Sequence, residues 1–493
     1  MTAELRAPDV LVLGAGPAGI AAAVTAAEAG LSVVVTDEQR QAGGQVYRSP
    51  AFATPARPGT DHASGEALRA ELAASTVETA FGESIWLAAP GPEIGTATID
   101  RWVRYRPKVL VVATGAYERS IPVDGWTLPG VIGLAGATIL LKSQKMLPGV
   151  ATVVTGGGPL IYAVAAGILE LGGRVVAVVD SNASLDWLGA LPSMITRSDL
   201  LWRGLGWMHR LRTAGVKVYR HHAVTAIYGA EQVSGVAIRP LGALGRPRCD
   251  AQALELEADA VAIGQGLLPN SEITRLLGAD HRFDQDCQSL VVTRDADLRT
   301  SLPSVFAAGD SAGILGAAAA ELEGRLAGLA AAYELRAVRP EDFDRRARPL
   351  RRRLVRAGRF GRAMARLMMP PSGLIEACSR STVVCRCEDV TRGQIEDALA
   401  DHAFDLNQLK SWTRCGMGPC QGRICGDAVM RLAIAKRASG PQPMPWTIQV
   451  PIRPVHSATL TGVHTYDDIL ADLPEPAPWD SGIGDTVATA PND

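Results

Sequence analysis

The sequence has no long apolar run and no excess of charge of either sign. No stretch reaches 18 uninterrupted apolar residues, so a transmembrane helix is not expected. Lys and Arg number 49 and Asp and Glu 51, and the net charge of -2 excludes a general nucleic-acid binder. The N-terminus lacks the basic and apolar regions of a secretory signal. A cytoplasmic location is therefore expected, with peripheral attachment to the inner face of the membrane as an alternative.

Cysteine is absent from the first 248 residues, although the chain contains eight. A redox-active disulfide needs a cysteine pair close to the electron donor, so disulfide reduction in this half of the chain is excluded. Five of the eight lie within 41 residues, at Cys385, Cys387, Cys415, Cys420 and Cys425. Such clustering indicates a metal site rather than a disulfide framework.

The first segment of the chain reads as strand, glycine-rich turn and helix. An apolar strand over 9–13 leads into Gly14-x-Gly16-x-x-Gly19, and an Ala-rich helix follows. The glycines permit a tight turn, the approach of a pyrophosphate and close packing of helix on strand. A second strand ends at Asp37, whose carboxylate is placed to accept a hydrogen bond from a ribose hydroxyl. The pattern predicts a dinucleotide site at Gly14, Gly16, Pro17, Ala18, Gly19, Asp37 and Glu38.

The same unit is written a second time about 140 residues later. A strand over 151–155 leads into Gly156-Gly157-Gly158, and a later strand ends at Asp180. The third glycine of the fingerprint is replaced by Ile161, and we expect this β-branched side chain to crowd the pyrophosphate or displace the helix. A working NAD(P)H site is one interpretation. A retained fold with a lost or altered site is the favoured one.

Three further motifs specify the ligand of the first site. They are Gly43-Gly44-Gln45, Ala113-Thr114-Gly115 and Phe306-Ala307-Ala308-Gly309-Asp310. With them the sequence resembles, over roughly residues 9–335, the two-dinucleotide-binding-domain flavoproteins of the glutathione-reductase and thioredoxin-reductase group. The resemblance implies an α/β fold with FAD in the first site. It also implies further FAD contacts, at Gly44, Gln45, Thr114, Gly115, Gly309 and Asp310.

The cysteine block resembles another family. Cys385-x-Cys387 is followed after thirty-two residues by Cys420 and then Cys425, in the context Cys415-Gly-Met-Gly-Pro-Cys420. This looks like the bacterioferritin-associated-ferredoxin-like 2Fe-2S domain, a small helical domain whose thiolates hold the cluster. By spacing, the ligands are Cys385, Cys387, Cys420 and Cys425. Cys415 is then a spare thiol, although a Cys415/Cys420 pair has the same spacing.

These patterns predict six segments. Ten arginines occupy residues 345–366, a run that suits a solvated helix face or a helix that bridges two domains. The predicted segments are a first part of the FAD-binding domain (1–124), an inserted second nucleotide-binding-like domain (125–285), a second part of the FAD-binding domain (286–340), Arg-rich linker helices (341–377), a 2Fe-2S domain (378–435) and a Pro-rich tail with a poorly ordered end (436–493).

Over about residues 1–455 the order of motifs resembles the alpha subunits of heteromeric amine and amino-acid dehydrogenases. The resemblance implies a smaller FAD-containing beta subunit that oxidises the C–N bond, a third small subunit in some complexes, and FMN at the interface with the partner in some. It leaves open whether the first site holds FAD or an adenine nucleotide. No residue is predicted to be catalytic. The alternatives are a self-sufficient NAD(P)H-dependent reductase and a non-catalytic ferredoxin-like adaptor.

Overall fold

The structure, a computed structural model, describes residues 4–49, 61–99, 101–401, 405–436, 444–457 and 459. Two nucleotide-binding-like domains are followed by a long helix, a small domain that carries the cysteines and a C-terminal segment. None of the helices in these ranges combines the length and apolar character needed to cross a bilayer.

The first domain is built from two separated parts of the chain. The first part contains strands β1 Glu4–Arg6, β2 Val10–Leu13, β3 Val33–Asp37, β4 Glu78–Phe81, β5 Ser84–Ala89, β6 Glu93–Ala97, β7 Trp102–Tyr105 and β8 Val109–Val112, with helices α1 Pro17–Ala27 and α2 Asp61–Ala74.

The inserted region and the return to the first domain follow in chain order. The elements are β9 Ala116–Glu118, β10 Val131–Gly133, α3 Leu134–Ile139, β11 Ala151–Gly156, α4 Pro159–Glu170, β12 Arg174–Asp180, α5 Ser184–Met194, α6 Ser198–Thr213, β13 Lys217–Arg220, β14 His222–Tyr228, β15 Gly235–Pro240, β16 Leu254–Glu257, β17 Ala260–Gly264, β18 Leu267–Pro269, α7 Glu272–Leu276, β19 His281–Asp284, β20 Ser289–Val292, β21 Val305–Ala307 and α8 Ala317–Glu334.

A five-stranded parallel sheet in the order β21-β8-β2-β3-β4 forms the centre of the first domain. Strands β2 and β8 are uniformly apolar because helices or other layers cover both faces of a parallel sheet. Helix α8 packs directly on α1, where side chains at Gly324 and Gly328 would overlap the carbonyl oxygens of Ala18 and Ala22. This close contact holds the start of α1 at the carboxyl edge of the sheet.

The second domain repeats this architecture with the parallel sheet β10-β17-β11-β12-β13 and adds the antiparallel sheet β14-β15-β16. Strands β9 and β18 pair antiparallel where the chain passes between the two domains. The repeat of the strand–turn–helix unit predicted from the sequence is therefore present, with β11, α4 and β12 matching β2, α1 and β3.

One helix, α9 Pro340–Met368, spans much of the predicted Arg-rich linker. Near its start, Phe343 and Ala347 belong to the apolar core of the first domain. Near its end, Met364 and Leu367 pack with Ala190 of α5 in the second domain. Helix α9 thus bridges the two nucleotide domains, one of the two roles that the arginine pattern predicts.

The cysteine domain consists of β22 Val383–Cys385, β23 Val390–Thr391, α10 Arg392–Ala400, α11 Leu406–Thr413 and α12 Gly426–Lys436. The C-terminal segment 444–457 then crosses this domain. Its buried Trp446 ring lies against Gly416 and Gly422, and the N–H of Ile452 donates to the Trp86 carbonyl of the first domain at 3.0 Å. The predicted poorly ordered end of the tail lies outside the described residues.

Candidate functional site: two nucleotide clefts and a cysteine cluster

The first cleft lies at the carboxyl edge of the first parallel sheet, around the turn between β2 and α1. The N–H of Gly14 donates to the Thr36 carbonyl at 2.7 Å, which closes the turn onto β3. The N–H of Gly43 donates to the Ala15 carbonyl at 2.8 Å, so the Gly43-Gly44 segment crosses beside the turn. Pro17 begins α1, as its fixed φ favours.

Open space beside the predicted glycines tests whether FAD fits. A Cβ added to Gly16 would meet only the Gly44 Cα, at 3.9 Å, and one added to Gly115 or to Gly313 would meet no atom within 4 Å. The Asn270 Oδ1 beside the Thr114-Gly115 turn is buried and has no hydrogen-bond partner. A backbone-lined cleft leaves room for the nucleotide phosphates, and the unpaired Asn270 oxygen can accept a hydrogen bond from a hydroxyl or an N–H group of the flavin.

Two of the three predicted carboxylates, Asp37 and Asp310, border this cleft. Asp37 accepts from the N–H groups of Ala15 at 2.6 Å and Gln39 at 2.7 Å, and burial raises its pKa. Asp310 accepts from the N–H groups of Leu315 and Gly316, both at 3.1 Å, and burial raises its pKa also. Both side chains are therefore held in place by backbone donors before any ligand binds.

The other predicted residues occupy the same edge of the sheet. A Cβ at Gly309 would lie 2.8 Å from the Ala18 Cβ, which places the Gly309-Asp310 turn at the start of α1. Gln45 accepts from Arg48 at 3.0 Å through its side-chain oxygen. Thr114 donates its hydroxyl to the Asn270 carbonyl at 3.1 Å. Glu38 lies 3.9 Å from Arg453 of the C-terminal segment, a neighbour that no motif indicated.

The second cleft, at the matching edge of the second sheet, is filled by the chain itself. A Cβ on Gly157 would lie 2.5 Å from the Leu367 carbonyl oxygen, and one on Gly158 would lie 2.6 Å from the Met368 Cγ. The end of α9 therefore lies on the turn where a pyrophosphate would bind. Ile161 is fully buried in the core of its domain. The obstruction observed comes from α9, whereas the sequence pattern attributed it to Ile161.

The acidic residue of the second cleft, Asp180, is also occupied by hydrogen bonds within the chain. Asp180 is completely buried, and its carboxylate accepts from Tyr162 Oη at 2.7 Å and from Trp187 Nε1 at 2.9 Å. Its other oxygen accepts from the backbone N–H and the side-chain amide of Asn182, at 2.9 and 3.0 Å. A carboxylate has about four acceptor positions, so these four donors leave none for a ribose. The second cleft does not fit a nicotinamide nucleotide.

Three of the five clustered cysteines meet in the buried part of their domain. The sulfurs of Cys385, Cys415 and Cys425 lie within 4.8 Å of one another. Hydrogen bonds from the Cys415 and Cys425 thiols lower the pKa of Cys385 to about 2. The same contact with Cys385 raises the pKa of Cys415 and of Cys425. The arrangement favours one thiolate among three sulfurs, which is the ligand chemistry that iron requires.

The remaining two clustered cysteines form a second group at the edge of the domain. Cys387 is exposed, and the Cys420 backbone N–H faces its sulfur. Partial burial raises the pKa of Cys387, and the charges of Cys420 and Cys385 act in the same direction, so the two groups adjoin. All four predicted ligands thus lie together. Cys415, predicted to be spare, lies among the buried sulfurs, and five thiols are available for a cluster that needs four.

Polar contacts fix the cysteine domain to the linker between the nucleotide domains. Asp124 accepts from the backbone N–H of Ser379 at 2.9 Å. Trp126 donates its indole N–H to the Val383 carbonyl at 2.6 Å, and Arg386 lies over the Trp126 ring with its guanidinium carbon 5.2 Å from the ring centre. Since Val383 and Arg386 flank Cys385, these bonds position the first cysteine pair.

A buried ionic network holds the opposite side of the cysteine domain. Asp427 of α12 faces Arg431 at 2.7 Å and Arg119 at 3.4 Å. Arg119 follows β9 and is fully buried, and burial lowers its pKa to about 10, so it stays charged at neutral pH. Removing one partner of such a pair would leave an uncompensated buried charge. The cysteine domain is therefore a fixed part of the molecule.

Comparison with known proteins agrees with this division. Residues 8–334 match the family model described as pyridine nucleotide-disulphide oxidoreductase. The opine oxidase A subunit of Rhizobium meliloti (strain 1021) is 35% identical over 463 residues, which cover 91% of this chain and 97% of the relative. The chain belongs to the opine oxidase A-subunit family, within the pyridine nucleotide-disulphide oxidoreductases. The predicted α/β fold and family resemblance are confirmed.

Two further proteins extend the comparison with this opine oxidase family over most of the chain. Hydrogen cyanide synthase subunit HcnB of Pseudomonas aeruginosa is 32% identical over 453 residues, 90% of this chain and 96% of the relative. L-proline dehydrogenase from P. horikoshii shares the fold, with a TM-score of 0.67 at 19% identity over 93% of this chain and 80% of that one. Two of these three proteins, the opine oxidase and hydrogen cyanide synthase chains, are named as subunits.

The cysteine domain has its own match. Residues 383–434 match the BFD-like [2Fe-2S] binding domain, which includes all five clustered cysteines. With the first cleft, this match confirms FAD and a 2Fe-2S cluster as the cofactors. When bound, the flavin exchanges electrons in pairs and the cluster passes them singly.

Proposed function

We propose that this chain is the electron-transferring subunit of a heteromeric dehydrogenase, and that a separate subunit oxidises the C–N bond of an amine or amino acid. The carrying observation is that the first cleft is open and joined to a fixed cysteine domain, while α9 covers the second. Electrons therefore enter from a partner rather than from NAD(P)H. Opine, proline, hydroxyproline and glycine types are the substrate classes that fit the family.

The contacts of the first cleft support roles for individual residues. The open side of Gly16 admits a pyrophosphate, and Asp37 is held at the end of β3 to accept from a ribose hydroxyl. Asp310 lies at the start of α1 to contact the ribityl-phosphate arm. Three further features remain predictions from the family resemblance: FMN at the partner interface, a third small subunit, and the smaller size of the beta subunit.

Activity measurements test the proposal. The isolated chain, loaded with FAD and cluster, should reduce no artificial dye with proline, hydroxyproline, opines or sarcosine. Co-expression with the proposed flavoprotein partner subunit should produce amine-dependent dye reduction. Robust activity of the isolated loaded chain would contradict the proposal, as would an inactive co-expressed complex that carries all its cofactors.

The cluster ligands are tested by iron content. We propose Cys385, Cys387, Cys420 and Cys425 as the four ligands, with about two iron atoms per chain. Cys387→Ser should then abolish the cluster, while Cys415→Ser should largely retain it. Loss of iron in Cys415→Ser together with retention in Cys387→Ser would instead assign the buried group of three sulfurs as the core of the ligand set.

A further inference from the structure

The interior of the cysteine domain offers one sulfur more than the proposed cluster uses. The sulfurs of Cys385, Cys415 and Cys425 lie within 4.8 Å of one another. The proposed ligand set takes Cys385 and Cys425 from this group and adds Cys387 and Cys420 from the edge of the domain. One buried sulfur, that of Cys415, is therefore left beside the cluster with no assigned role.

The left-over sulfur lies next to one particular ligand. The Cys415 Sγ is 3.9 Å from the Cys425 Sγ, and neither residue is more than 1% exposed. In tetrahedral thiolate sites the metal–sulfur bond is about 2.3 Å, so two sulfurs on one metal lie about 3.7 Å apart. The two sulfurs therefore already have the spacing of two ligands of one metal.

The backbone around Cys415 keeps its sulfur in the interior. Helix α11 ends at Thr413, Arg414 adopts a φ of +63°, and the Cys415 N–H donates to the Thr413 hydroxyl at 3.2 Å. Gly416 then lies under the Trp446 ring, where an added Cβ would come within 2.7 Å of the Trp446 Cη2. The turn that carries Cys415 is closely packed, so its sulfur has a defined position.

Two other roles for Cys415 agree less well with this position. A buried cysteine often serves as a small apolar side chain, but the Cys415 sulfur faces two other sulfurs. A ligand pair with Cys420, which the spacing in the sequence allows, would place Cys415 towards the edge of the domain, where Cys420 is only partly buried. Cys415 is instead completely buried beside Cys425.

We infer that Cys415 is a substitute ligand, which takes the place of Cys425 on the same iron when Cys425 cannot bind. This inference rests on the proposed ligand set, in which Cys425 binds and Cys415 does not. In the exchange one iron–sulfur bond breaks at Cys425 and one forms at Cys415. The proton of the Cys415 thiol passes to the Cys425 sulfur that leaves, and no electron is transferred. One of the four ligand positions can therefore be lost without loss of the cluster.

The iron and acid-labile sulfide contents of the purified full-length chain test this inference. Cys415→Ala should retain the wild-type iron content. Cys425→Ala should retain more than half of it, because Cys415 supplies the fourth thiolate, and its visible circular dichroism should differ from that of the wild type. Cys415→Ala combined with Cys425→Ala should lower the iron content at least tenfold, because only three of the clustered thiols remain. Alanine is chosen because its side chain has no atom that binds iron.

Cys378 provides the matched control. It is buried in the core of the same domain, and its thiol donates to the Ile375 carbonyl at 3.2 Å rather than to another cysteine. Cys378→Ala with Cys425→Ala removes as many buried sulfurs as the first double variant, yet it should retain as much iron as Cys425→Ala alone. Bound flavin should equal the wild-type value in every variant. Should Cys425→Ala lower flavin content, Cys425→Ser replaces it in all three chains.

The outcomes separate the inference from the proposals on which it rests. If Cys425→Ala loses as much iron as its combination with Cys415→Ala, only the inference fails. If Cys415→Ala loses its iron while Cys425→Ala retains it, Cys415 is an ordinary ligand, and the proposed ligand set fails together with the inference. Equal loss of iron in the two double variants would also overturn the inference, because the loss would then follow from packing. Partner-dependent amine oxidation is measured separately and tests the proposed function by itself.

Discussion

The turns after β2 and β11 start from nearly the same sequence pattern and end in opposite states. Each follows an apolar strand, carries two glycines one residue apart and leads into a helix that begins with proline. Beside Gly16 the space is open, whereas beside Gly158 it is occupied by Met368. The strand–turn–helix unit is therefore stable with or without a ligand site, and the covering segment decides which it has.

The acids of the two units differ in the same way. Asp37 is partly buried and accepts two backbone bonds, while Asp180 is fully buried and accepts four bonds from side chains and backbone. Asp37 and Asp180, which occupy equivalent positions in the two units, thus have different roles. One carboxylate remains available to a nucleotide, and the other has become a structural centre of the second domain.

The largest effect on flavin binding is expected at Gly16. In the chain alone a side chain there has room, so Gly16→Val should fold normally. It should reduce bound FAD at least tenfold, or about 1.4 kcal/mol or more of binding free energy, because the side chain takes the place of the pyrophosphate. Flavin content after purification measures this.

A control change in the second unit is Gly167→Ala, in the middle of α4. Its added Cβ would lie 3.4 Å from Leu141 Cδ1, an ordinary contact, so flavin and stability should both be retained. Full flavin occupancy in Gly16→Val would show that the first cleft does not hold the pyrophosphate at this turn.

The largest effect on stability is expected at Asp180. Asp180→Asn places an amide among four donors and should lower the free energy of unfolding by about 3 kcal/mol, because buried donors lose their acceptor. Thermal unfolding followed by circular dichroism checks this. An unchanged melting temperature would mean that the carboxylate is not the centre of the network.

A smaller effect is expected at Asp37. Asp37→Asn retains one acceptor oxygen, so it should weaken FAD binding by roughly 1 kcal/mol, as for the loss of one hydrogen bond, with little change in melting temperature. Titration of the apoprotein with FAD measures the affinity. A loss of stability as large as that of Asp180→Asn, with unchanged FAD affinity, would show that Asp37 and Asp180 have the same structural role. The proposed difference between the two clefts would then be wrong.

No effect is expected from nicotinamide nucleotides. Excess NADH or NADPH should leave the absorbance of the bound flavin unchanged, whereas dithionite should bleach it. Met368→Ala should behave in the same way, because the backbone carbonyl of Leu367 still lies over Gly157. Rapid flavin reduction by NADH in the wild type would show that α9 leaves this cleft.

The local part of this contrast could be predicted from the sequence. Strands, turns and helices of both units follow from contiguous patterns, as do the Gly309-Asp310 turn and the cysteine domain. The closure of the second cleft could not, since it depends on Leu367 and Met368 reaching Gly157 and Gly158 from about 200 residues away. Ile161 correctly identified the second turn as altered. The reason was wrong, because the Ile161 side chain is buried in the core of its domain and does not obstruct the turn.

Two other features could not be predicted from the sequence, for related reasons. Spacing alone leaves Cys415 either a spare thiol or one half of a Cys415/Cys420 pair, and only the folded chain brings its sulfur to those of Cys385 and Cys425. The return of Trp446 over the cysteine loop leaves no periodic signal, because segment 444–457 has little regular secondary structure. Contacts made by irregular segments depend on the finished fold.

The position of helix α9 limits how the chain can be truncated or divided into separate domains. A chain cut after residue 335 would remove Phe343 and Ala347 from the core of the first domain and would leave Gly157 and Gly158 uncovered. A cysteine domain expressed from residue 378 onward would lose its hydrogen bonds to Asp124 and Trp126. The flavin and cluster domains therefore cannot be exchanged independently. A chimera must carry helix α9 together with the second cleft, which α9 covers.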